Sequence, residues 1–108
     1  MARIVFWQPD GQRRDIEAPA GITLMEAARL NGVAGVIAQC GGACACATCH
    51  VYVDPAWVSR LVPVDDMEEG MLETAWERRA NSRLSCQVEI TPALDGLEVR
   101  VPQRQASN

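Results

Sequence analysis

The chain has no lysine at all, and only one histidine, one phenylalanine and one tyrosine. Its ten basic residues are therefore all arginines, outnumbered by fourteen acids for a formal net charge of −4. That balance makes nucleic acid and anionic membranes poor partners and basic protein surfaces good ones. No apolar run is longer than a few residues, which excludes a membrane-inserted helix of the usual length of about 20 residues. Met1-Ala2-Arg3 leads straight into Ile4-Val5-Phe6-Trp7, with no signal-like apolar region and no Arg/Ser-rich transit segment, so a cytoplasmic chain is expected. No Ser/His/Asp constellation and no phosphate-binding glycine loop is present, and the chain is not expected to be an enzyme by itself. At 108 residues, with 48% hydrophobic and 22% charged residues, it reads as one domain over residues 1–108 with a single modest core.

Cysteine is where the sequence is rich. Cys40, Cys46 and Cys49 have the spacing C-x5-C-x2-C, and Cys86 follows at a distance, just before the strand-like run Val88-Glu89-Ile90. Three thiolates on one short loop plus a distant fourth suit a 2Fe-2S cluster, which takes four Cys ligands. The residues between them (Gly41, Gly42, Ala43, Ala45, Ala47 and Thr48) are small, so backbone N–H groups can approach the sulfurs. A structural zinc site in a non-redox binding module is the alternative from another class. Such sites usually use two short knuckles, and only Cys46 and Cys49 make one. A Rieske centre needs two His ligands and His50 is alone. Five cysteines, with no secretory signal, do not make a disulfide framework. Cys44 is left over, either a packed thiol or a redox-sensitive substitute ligand.

The local pattern places this loop. Arg3 to Gln8 and Arg13 to Ala18 read as strands joined by the turn Pro9-Asp10-Gly11, a hairpin. Thr23 and Glu26 form a capping box for a helix running to about Leu30, with Asn31-Gly32 as its stop. After the cysteine loop come a short strand at Val51–Val53, a helical turn at Pro55–Val58 and an acidic helix from Asp65 to Trp76. A strand from Gln87 to Thr91, the turn Asp95-Gly96 and an alternating strand from Leu97 to Val101 complete the pattern. The tail from Gln103 is expected to fray. Hairpin, helix and returning strands imply an α+β fold, a small mixed sheet on one main helix.

Cys40 through Val53, together with Met71-Leu72-Glu73, Asn81 through Gln87 and Thr91 through Gly96, resembles the adrenodoxin/putidaredoxin type of 2Fe-2S ferredoxin over nearly the whole length. The resemblance implies a β-grasp fold, one 2Fe-2S cluster on Cys40, Cys46, Cys49 and Cys86, and a soluble monomer that carries single electrons. It further implies a flavin-containing NAD(P)H-dependent ferredoxin reductase as donor and a haem-thiolate monooxygenase (cytochrome P-450) as acceptor. Two features depart from the pattern. The tail ends without an aromatic residue, and Cys44 resembles the extra cysteine of ferredoxins serving iron–sulfur cluster assembly, whose machinery is the second candidate acceptor.

Asp65, Asp66, Glu68, Glu69 and Glu73 put five acids and no base into nine residues. Acids early in a helix suit its dipole, but Glu69 and Glu73 repel Asp65 and each other at four-residue spacing. With the resemblance, these five are expected to form a partner-docking face, while Met67, Met71 and Ala75 turn toward the body. His50 is expected to tie the loop to neighbouring backbone or to the acidic helix. Arg83 is expected to pair with the acidic segment. Trp7, Trp57 and Trp76 are expected to pack rather than carry electrons.

Overall fold

The computed structural model describes residues 2–33 and 49–103. Strands β1 (Ala2–Trp7) and β2 (Arg13–Ala18) form the expected antiparallel hairpin, with Ile4 opposite Ile16. In β2, Ile16 and Ala18 are buried while Asp15 and Glu17 face out, as period-two patterning requires. Helix α1 (Leu24–Leu30) starts at the capping box: Thr23 Oγ1 accepts the Glu26 N–H and the Glu26 carboxylate accepts the Thr23 N–H, both at 3.1 Å. It stops where Gly32 takes a positive φ of 66°, which glycine adopts without a Cβ penalty. Its buried face, Leu24, Met25, Ala27 and Ala28, enters the core with Ile4, Phe6, Leu84, Ile90 and Leu97.

After the cysteine loop come β3 (His50–Val53), the short α2 (Pro55–Val58), α3 (Asp66–Leu72), β4 (Ser82–Leu84) and β5 (Leu97–Arg100). The sheet order is β2-β1-β5-β3-β4, with β1 and β5 parallel and the other pairs antiparallel. Gly96, at φ 95°, turns the chain into β5 and donates its N–H to Arg3 O at 2.7 Å. This mixed sheet over one main helix is the β-grasp arrangement the sequence led us to expect.

Two expected elements differ. The acidic helix ends at Leu72 rather than Trp76. Thr74 Oγ1 donates to Met71 O at 2.7 Å and Thr74 N–H also turns back to Met71, tightening the last turn before Glu77 enters the left-handed region at φ 46°. The stretch Gln87–Thr91 is no sheet strand. Cys86 sits in a 3-10 turn, Ser85–Gln87, and the following backbone pairs with the segment before α1 through a single bridge, Thr23 to Glu89. Val88 and Ile90 are buried and Glu89 is exposed, so the alternation was real but its partner is a loop. The strand that pairs with β3 is Ser82–Leu84, three buried residues with an arginine in the middle.

That arginine is held by α3. Arg83 Nε and Nη2 donate to the two oxygens of Glu68 at 2.7 and 3.0 Å, and Leu84 N–H reaches the same carboxylate at 2.9 Å. Glu68 is 1% exposed, which corrects the expectation that all five acids face solvent. A buried pair is tolerable only when its polar atoms are satisfied, and removing one partner strands the other charge. Glu68→Ala should therefore destabilise the protein by roughly 3–5 kcal/mol, read from denaturant unfolding of the holoprotein. A loss below about 1 kcal/mol, the level of an exposed pair, would contradict the clamp.

Candidate metal centre

Pairing of β3 with β4 places His50 opposite Leu84, so the residues one step beyond, Cys49 and Ser85, also meet. Ser85 donates to Cys49 O from its N–H at 3.0 Å and from its hydroxyl at 2.7 Å. The next residue is Cys86. Cys49 and Cys86 thus arrive side by side, both buried, at the same end of a strand pair, although 36 residues separate them in the chain. Helix α1 packs against the turn that carries Cys86. Gln87 Nε2 lies 3.5 Å from Cys86 Sγ, within reach of an N–H···S hydrogen bond, a contact the sequence reading missed.

The pair fits a metal cluster. A hydrogen bond with Cys86, and secondly burial, push the Cys49 thiol far above its ordinary range. Two thiolates this close in an apolar setting repel each other, and bound iron supplies the positive charge that lets both ionise. Cys40, Cys46 and the spare Cys44 lie outside the described residues, as do Gly41, Gly42 and Thr48.

His50 is fully buried beside Cys49. Its Nε2 shares a 2.8 Å hydrogen bond with Ser82 Oγ, so it ties β3 to the side chain of β4, not to the acidic helix. Burial, followed by the charges of Arg79 and Arg78, lowers its pKa to about 4 and keeps it neutral at physiological pH. Its ring meets Tyr52 edge-on at 4.7 Å, and Tyr52 OH donates to Glu77 O at 2.7 Å.

On α3 the exposed acids are Asp65, Asp66, Glu69 and Glu73. Asp65 is the N-cap, accepting the Glu68 N–H at 2.8 Å. Glu69 pairs with Arg78 Nη2 at 2.5 Å, which offsets part of the repulsion along the helix. Met71 and Ala75 pack against the core as expected, whereas Met67 does not: it is 64% exposed. Arg83 meets the expectation of an ion pair with the acidic segment.

Residues 8–91 match the family described as 2Fe-2S iron-sulfur cluster binding domain. The chain belongs to this family of 2Fe-2S ferredoxins. Ferredoxin CarAc of a Sphingomonas species is 51% identical over 104 residues, covering 96% of this chain and 95% of the relative. Putidaredoxin of Pseudomonas putida is 44% identical over 106 residues, covering 97% and 99%. A solved putidaredoxin mutant superposes with a TM-score of 0.94 over 96% of this chain and 99% of that one. Another solved structure, at 46% identity and TM-score 0.91 over 95% and 100%, is a covalent complex of putidaredoxin reductase with putidaredoxin. An ISC-like 2Fe-2S ferredoxin of Pseudomonas putida also matches, at 28% identity and TM-score 0.81, over 100% and 98%. This ferredoxin is thus an electron-transfer protein with one 2Fe-2S cluster, and the zinc-module alternative falls away. Among the described residues no helix is long and apolar enough to cross a membrane.

Hydrogen bonds to cluster sulfurs are among the factors that set the reduction potential, since they favour the more negative reduced state. Gln87→Leu keeps the bulk and removes the N–H donor. Its midpoint potential should move negative of the parent in a spectroelectrochemical titration, with cluster content unchanged; an equal or more positive potential would show that Gln87 does not act on the sulfur.

Proposed function

We propose that this ferredoxin holds its cluster through Cys40, Cys46, Cys49 and Cys86 and works as a cytoplasmic, monomeric shuttle of one domain, residues 1–108. It accepts one electron at a time from a flavin-containing NAD(P)H-dependent ferredoxin reductase and passes it to a cytochrome P-450 haem-thiolate monooxygenase. When bound, the cluster supplies the one-electron capacity. The chain's part is to bury the thiolates, keep water from them and hold their surroundings still between the two oxidation states. Ser85, Gln87 and the His50–Ser82 bond serve that purpose at the described end of the site.

The observation that carries the partner assignment is the anchoring of α3. Its exposed acids stand on a helix whose buried Glu68 grips Arg83, three residues before the ligand Cys86. A protein docked on the acids therefore sits on a helix joined directly to the cluster segment. The reductase assignment is supported by the complex solved for putidaredoxin. The monooxygenase is favoured over the cluster-assembly machinery because likeness to putidaredoxin, 44%, exceeds that to the ISC-like ferredoxin, 28%. Gln103 is exposed, and the rest of the tail, expected to fray, lies outside the described residues.

Acids of this kind steer encounter over a Debye length of about 8 Å at physiological ionic strength. Asp66→Lys with Glu69→Lys should slow reduction by the reductase by roughly tenfold at low salt, through association. Stopped-flow traces across an ionic-strength series should show the gap from the parent narrowing as salt rises. Equal rates at low salt would return α3 to an ordinary solvated face.

A further inference from the structure

Charge steers two proteins together, but a complex that lasts also needs apolar surface removed from water at its centre. Five large hydrophobic residues are exposed among the described residues, and four of them fall within ten positions: Val58 at 41%, Val62 at 77%, Val64 at 36% and Met67 at 64%. Single exposed hydrophobics are ordinary on any surface. A cluster confined to one stretch is not, and this stretch runs from the end of α2 directly into the acidic helix. Val58, Pro63 and Val64 line one shallow depression with Arg78, the partner of Glu69, and Val62 lines a second one that shares Leu61 and Arg83 with the first.

The loop is also held rigidly. Arg83 Nη1 donates to Val62 O at 2.6 Å while the same guanidinium grips Glu68. Val62 therefore projects from a backbone fixed underneath by a buried charge. Little ordering entropy remains to be lost when a partner covers it.

We infer that Val62, Val64 and Met67 form the apolar centre of the docking surface whose rim is Asp65, Asp66 and Glu69, and that the reductase covers it with an apolar face bordered by cations. The inference rests on the reading of α3 as the docking rim. Charge complementarity selects this occupant. A second copy of a chain of net charge −4 would bring the same acids against each other, and an anionic membrane would be repelled. The nearby arginines do not reverse the sign, because the exposed acids Asp65, Asp66, Glu69 and Glu73 outnumber Arg60 and Arg78.

Rim and centre differ in their response to salt, and the test uses that difference. The probe is the flavoprotein reductase that reduces the parent chain fastest. Its dissociation constant for the holoprotein is measured by calorimetry at low salt and at about 1 M salt, where screening acts over roughly 3 Å. Val62→Ser with Met67→Gln should weaken binding about tenfold at both salts, since hot-spot truncations at an interface centre act through dissociation. Asp66→Lys with Glu69→Lys should weaken it only at low salt. Val62→Leu with Met67→Leu, which keeps the apolar area, should bind as the parent does. Both positions are largely exposed, so cluster absorbance and melting temperature should match the parent in the Ser/Gln and Leu/Leu variants. Parent-like binding by the Ser/Gln variant at both salts, with the Lys variant impaired, would overturn the apolar centre while leaving the acidic rim standing. Parent-like binding by both variants would overturn rim and centre together. Concentration-dependent dimerisation of the parent that the Ser/Gln variant abolishes, with reductase binding unchanged, would identify a second copy as the occupant and overturn the inference.

Discussion

The guanidinium of Arg83 meets the two carboxylate oxygens of Glu68 and the carbonyl of Val62, all from a strand only three residues long. Glu68 takes a further bond from Leu84 N–H, so helix, loop and strand converge on one buried ion pair. A charge pair taken out of water gains little over a hydrophobic substitute, but it demands a particular geometry from every group that satisfies it. Here that geometry fixes α3 and the loop before it relative to β4. The turn carrying Cys86 follows β4 directly. The surface proposed to meet a partner and the segment proposed to hold the metal are thus joined through one buried ion pair.

The cluster end is built by hydrogen bonds of a different kind. Ser85 binds Cys49 O twice, and His50 binds Ser82, so the two strands that deliver Cys49 and Cys86 are stitched together immediately beside the thiols. His50 stays neutral through burial, which spares the site a titrating charge near physiological pH. A site so fixed needs little reorganisation when an electron arrives. That suits a carrier, whose task is transfer rather than bond making.

How much of this could be read from the sequence depended on whether the cause was local. The hairpin, α1 with its capping box, α2 and β5 follow from period, caps and turns, and each lies where those signals place it. The cysteine spacing named the cofactor for a similar reason, because ligand geometry is written into residue spacing. β4 was not legible: three buried residues around an arginine carry no alternation, and only the distant Glu68 makes the arginine tolerable there. Nor do five acids within nine residues show which one turns inward. Arg83 gave the hint of an ion pair, but the choice of Glu68 belongs to the tertiary structure. Val88 to Ile90 alternates as a strand should, yet the backbone across from it is that of Gly21, Ile22 and Leu24, and no local pattern records that. Gln87 was overlooked because an amide beside a ligand is informative only once its distance to sulfur is known.

The proposed ligand set is four particular thiolates, not five: Cys40, Cys46, Cys49 and Cys86. Iron and acid-labile sulfide content, with the paramagnetic resonance signal of the reduced protein, test it in two single variants. Cys44→Ser should retain two irons per chain and the parent signal, whereas Cys49→Ala should lose both, because one iron is left without its buried ligand. Loss of iron from the Cys44 variant, or its retention in the Cys49 variant, would rule out this ligand set.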